Sequence, residues 1–170
     1  EPLYIRANAG DCLGVRLTNK LTTSVPVHDG DVPVEPVSAW PAGNRVSLHP
    51  GMVDYDPARA DGATVGYNYD QTVGPGQSDN VVWYVPAMLE GASANLVDFG
   101  NRRGHRHHGL FGGLLIEPRG STWSDPVTGQ PITTGASAVI RWTDANVVPQ
   151  VRREFVADFL GVANLIDVSV

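Results

Sequence analysis

Phe99-Gly100-Asn101-Arg102-Arg103-Gly104-His105-Arg106-His107-His108-Gly109-Leu110 runs straight into Phe111-Gly112-Gly113-Leu114-Leu115-Ile116, and the fold is read from this stretch. Its second half, from Leu110 to Ile116, is apolar and short and reads as a strand. Its first half is a Gly- and Arg-rich loop with three of the five histidines of the chain. Neutral imidazole is the commonest protein ligand for copper and zinc. A histidine cluster where a loop meets a strand is therefore a candidate metal site.

Working outward, the chain reads as short strands separated by turns. Leu3 to Ala7 is a short strand, and Asn8-Ala9-Gly10-Asp11 is a turn. Leu13, Val15 and Leu17 then alternate with Gly14, Arg16 and Thr18, the period of a half-buried strand. Residues 20–44 are rich in Pro, Asp and Gly and read as a surface excursion. Arg45 to His49 reads as a strand ended by Pro50-Gly51, and Met52 to Asp56 as its extended continuation. Asn80 to Val85 is a run of strong strand formers. Pro86 to Gly91 fits one helical turn, and Ala94 to Phe99 is extended. Residues 121–135 read as a polar loop, and Ala136–Thr143 and Glu154–Leu160 as two more strands. On pattern alone, Val151 to Ala163 also fits a helix. Short strands with regular turn signals predict an all-β sandwich.

Composition narrows the function classes. A length of 170 residues predicts one domain with an appendage. The formal charge of -6 argues against nucleic acid as a partner. No stretch approaches the ~20 apolar residues of a membrane helix. Cys12 is the only cysteine, so no internal disulfide can form. The chain opens on Glu1 with a strand two residues away and reads as an internal piece or a processed chain.

Four local patterns, in order, resemble the cupredoxin domains of multicopper oxidases, including bacterial laccase-like and ceruloplasmin-like proteins. They are Gly10-Asp11-Cys12 leading to Leu17-Thr18-Asn19; Val46-Ser47-Leu48-His49 with Asp54-Tyr55 and Asp61-Gly62; Val73-Gly74-Pro75-Gly76 with Trp83-Tyr84; and Gly109-Leu110-Phe111-Gly112-Gly113-Leu114-Leu115-Ile116. The resemblance implies a Greek-key β-sandwich of cupredoxin type over residues 1–120. It implies that 121–170 is a linker with partial strands of a following domain, or an interface tail. Its partner would be an adjacent cupredoxin domain or further copies of the chain. It implies copper in the parent assembly, and an extracellular or periplasmic location.

The family's copper loop runs H-C-H-x-x-x-H-x-x-x-G-(M or L). Laid on this chain, Phe99 falls at the first His, Gly100 at the Cys and Asn101 at the second His. His105 falls at the third His, Gly109 at the Gly and Leu110 at the axial position. Upstream, His49 matches the first member of an H-x-H pair whose second place is held by Gly51. A blue site needs a thiolate and two imidazoles, and Gly100 supplies no thiolate. His49, His105 and His108 are therefore the metal-ligand candidates, in a site whose other ligands are lost.

Other residues carry weaker signals. His28 reads as solvated, and Arg102, Arg103 and Arg106 as a charged run able to pair with Asp98. Asp54, Asp56 and Asp61 resemble an oxygen-rich calcium loop but lack the spacing of an EF-hand. Trp83 and Tyr84 read as core aromatics. The functional expectation is a cupredoxin-like domain of a multicopper-oxidase-type protein, which would couple oxidation of a small reductant to O2 reduction. This chain alone would not be catalytically complete. The alternative is a non-catalytic cupredoxin-like binding or assembly module.

Overall fold

The computed structural model describes residues 2–21, 43–63, 66–67, 69–101, 104–107 and 109–157. The chain is all-β, with nine strands among the described residues. One sheet has the order β1 (Leu3–Asn8), β6 (Phe111–Glu117), β5 (Ser93–Val97), β3 (His49–Pro50). Here β1 and β6 are parallel and the other pairs antiparallel. Facing it is an antiparallel pair, β2 (Cys12–Thr18) and β4 (Ser78–Tyr84).

Alternation builds the core between them. Leu13 and Val15 on β2 turn inward, as do Val81 and Trp83 on β4. They meet Ala7 of β1, Ala94 and Leu96 of β5, and Leu114 and Ile116 of β6. Trp83 and Leu114 are fully enclosed. The parallel contact is unusually close at Gly112, paired with Leu3, where an added Cβ would lie 2.0 Å from the Leu3 carbonyl oxygen. Only glycine fits there.

A third sheet follows: β7 (Thr122–Ser124), β8 (Ser137–Thr143) and β9 (Pro149–Phe155), all antiparallel. It lies against the first sheet. Ile5 bridges Thr134, the Arg6 amide donates to Thr133 O, and the Gly135 amide donates to Tyr4 O. The free edge of β1 is thereby covered. A charged cluster joins the same elements. Arg6 on β1 pairs with Glu117 on β6, and Arg152 on β9 reaches Glu117 at 2.9 Å and Glu154 at 3.4 Å. The side chains of Arg6 and Glu117 are almost completely buried. Burial, and then the charge of Glu154, push the Glu117 carboxyl above its ordinary value, against the pull of Arg6 and Arg152.

Several local expectations are corrected. Arg45–His49 is not a strand: only Val46 bridges, to Val73, and the strand pairing begins at His49–Pro50. The reason is that the Ser47 amide is taken by the Asp98 carboxylate rather than by a ladder. After Asp54 the path turns into a short helix, α1 (Pro57–Ala60), which Asp56 caps through the Ala58 amide. The polar loop 121–135 contains β7. Among the described residues the last strand is Pro149–Phe155, which starts five residues before the expected Glu154 and ends at Phe155, with residues 158–160 outside the described ones; Val151 onward is not helical as far as it is described. The surface excursion lies mostly outside the described residues. Tyr84 is exposed on the outer face of β4, whereas Trp83 is core.

Candidate functional site

The stretch after β5 is organised by Asp98, a buried carboxylate at the strand's end. Its Oδ1 accepts from the Ser47 amide at 2.6 Å. Its Oδ2 accepts from the Asn101 amide at 2.8 Å and lies 2.7 Å from His105 Nδ1. Ser47 answers through its hydroxyl oxygen, which accepts from the Phe99 amide at 2.8 Å. Two chain segments, 45–49 and 97–105, are thus stitched by side chain to backbone in both directions.

His105 sits in a single helical turn, α2 (Gly104–His107), not in an extended loop. Its amide donates to Asn101 O, and its carbonyl accepts from the Leu110 amide. The residue is 4% exposed, and this matters because both ring nitrogens are then confined to protein partners. Nδ1 faces Asp98, and Nε2 is hydrogen-bonded to the Gly43 carbonyl. A carbonyl and an ionised carboxylate can only accept. Nε2 therefore donates to the Gly43 carbonyl and offers no lone pair to a metal, and Nδ1 is taken up by Asp98.

His49 belongs to a different set of contacts. Its Nδ1 donates to the Asp61 carbonyl at 2.8 Å, with the Asp61 carboxylate at 3.4 Å. Its ring lies 4.3 Å from that of Phe99 and edge-on to Tyr55. The Tyr55 hydroxyl donates to Asp61, and burial followed by that contact pushes the phenol above its ordinary value. The Phe99 ring therefore supplies a packing face for His49. His108 and His28 lie outside the described residues.

Gly100 is the decisive position. A Cβ built there would lie 2.2 Å from the Arg45 carbonyl oxygen and 2.8 Å from its carbon. No side chain, a cysteine included, fits without moving backbone. Among the described residues no three His, Cys, Asp or Glu side chains are grouped as a metal site would need. Cys12 is exposed on β2, opposite Tyr84. Asp54, Asp56 and Asp61 do separate work: Asp54 bridges Tyr84 through its backbone, Asp56 caps α1, and Asp61 binds Tyr55.

Next to the Asp98–His105 pair, the space between the two facing sheets opens into a cavity of about 440 Å³. Leu17, Leu48, Leu96, Val97, Leu110 and Phe111 line it, with Asp98, His105 and Asn19 on its wall and Lys20 beside it. Asn19 is buried and spends its amide on the Asn44 and Val73 carbonyls.

The sequence pointed to His105 and His49 but missed what Asp98 and Ser47 do. The available signal was an acid at a strand's end, with Asn and His three and seven residues on. Arg6 and Glu117 were missed too, although each is a charge set in an apolar run. No protein-family model matches the sequence, and no curated protein matches it.

Proposed function

We propose that this chain is a cupredoxin-like domain of a multicopper-oxidase-type protein whose copper loop has become a structural clamp. The two facing sheets and the order of the sequence motifs support the sandwich type. The observation that carries the reading is Gly100, where the family's cysteine stands: its Cα lies too close to the Arg45 carbonyl for any side chain. Phe99 packs on His49, and His105 is engaged at both nitrogens. On this reading, oxidation of a small reductant and O2 reduction belong to copper held elsewhere in the parent assembly. This domain contributes scaffold and an interface to an adjacent cupredoxin domain or to further copies of itself.

The ring nitrogens of His105 test this. In 15N-labelled protein, the His105 ring signals are expected to survive addition of one equivalent of Cu(II). Selective loss of the His105 signals on adding Cu(II) would show a working ligand and overturn the reading.

A further inference from the structure

We propose that the cavity beside the clamp is a binding site for a small amphipathic carboxylate, an apolar chain or ring with one anionic head. The inference goes beyond the copper-domain reading and does not depend on it. The apolar core is unevenly filled. Toward one end Leu13, Val15, Trp83, Leu114 and Ile116 close the space between the sheets. Toward the other, Leu17 continues the inward face of β2 and Phe111 begins β6, and among the described residues a cavity lies between them. The volume, about 440 Å³, lies in the range of small-ligand sites.

The polar groups on the wall define what can enter. Asp98 is occupied by Ser47, Asn101 and His105, and His105 by Asp98 and Gly43. The Ser47 hydroxyl is engaged by Phe99, and Asn19 by Asn44, Val73 and the Leu21 amide. With these contacts made inside the protein, the body of the ligand meets an essentially apolar lining and has little to hydrogen-bond to. Among the described lining residues the cationic side chain is that of Lys20, the only lysine of the chain, which is exposed and makes no ion pair among the described residues. An apolar body with an anionic head uses both features: buried area holds the body, and the ammonium holds the head.

Calorimetric titration with decanoate below its micellar concentration tests the proposal, with decanol and decyltrimethylammonium as neutral and cationic controls. Decanoate is expected to bind one per chain and more tightly than either control. Lys20→Glu is expected to cost decanoate roughly tenfold in affinity, the worth of one charged contact, and to leave decanol unchanged. Leu17→Trp, which fills the cavity, is expected to abolish binding of both while the circular dichroism spectrum stays that of the wild type. No decanoate binding by the wild-type protein would overturn the proposal. So would equal affinity of wild type and Lys20→Glu, or undiminished binding by folded Leu17→Trp. Association with phosphatidylglycerol vesicles without binding of free decanoate would also overturn it, in favour of a membrane surface.

Discussion

Single atoms decide the behaviour of the histidine loop. Replacing Gly100 by Ala drives a methyl group into the Arg45 carbonyl, and backbone is the least yielding neighbour. Gly100→Ala is expected to lower stability by about 1–3 kcal/mol in urea denaturation, the usual cost of overpacking. An unchanged midpoint would mean that the close approach is not real. Asp98→Ala removes the acceptor shared by Ser47, Asn101 and His105, leaving buried donors without partners. It is expected to cost roughly 3 kcal/mol or more, because breaking a buried charged set leaves its partners uncompensated. At this scale the sequence was partly legible. Gly100 was legible as a position that supplies no thiolate, but nothing in the string said that the Arg45 carbonyl lies against it. That contact joins residues far apart in the chain and exists only once the two segments are stitched.

Elements were legible where periodicity and burial agree, and illegible where side chains capture the backbone. β2 follows its alternation residue by residue because one face meets the core and the other water. Val46 and Leu48 in the segment 45–49 also alternate with polar residues, yet Asp98 takes the Ser47 amide and no ladder runs through residues 45–48. β9 was misplaced because its pattern also fits a helix. Its register is set instead by the preceding turn, which brings Pro149 opposite Thr143. That turn is held by Asp144, which accepts from the Asn146 and Val148 amides at 2.9 Å. Those bonds lower the Asp144 carboxyl, as bonds from Thr128 and Val127 lower that of Asp125. A lowered carboxyl stabilises above its unfolded value and loses that contribution as pH falls through its folded one. The amides of Val148, Val127 and Thr128 are therefore expected to lose exchange protection below the ordinary carboxylate range, ahead of the core strands. Protection that persists there would contradict the assignment. In the same turn Val147 has φ 62°, a left-handed conformation that a β-branched residue resists. Val147→Gly is expected to raise stability by about 1 kcal/mol, read as an upward shift in melting temperature.

The third sheet is tied to the first by charge as well as by hydrogen bonds. Arg6, Glu117, Arg152 and Glu154 come from three different strands and are brought together only by folding. Arg6→Leu removes a buried partner of Glu117 and is expected to cost about 3–5 kcal/mol, with β9 loosened first in hydrogen exchange. The all-β class was legible from turn spacing. The return of the third sheet onto β1 was not, because the contacts that fix it, Ile5 with Thr134 and Tyr4 with Gly135, span most of the chain. On the proposed reading, the loop from Phe99 to Leu110 is a carboxylate clamp and not a copper loop. Copper content of the chain, measured after reconstitution with excess copper and removal of the unbound metal, tests it most directly. The account predicts substoichiometric copper and no intense blue charge-transfer band. One copper retained per chain together with that band would contradict it.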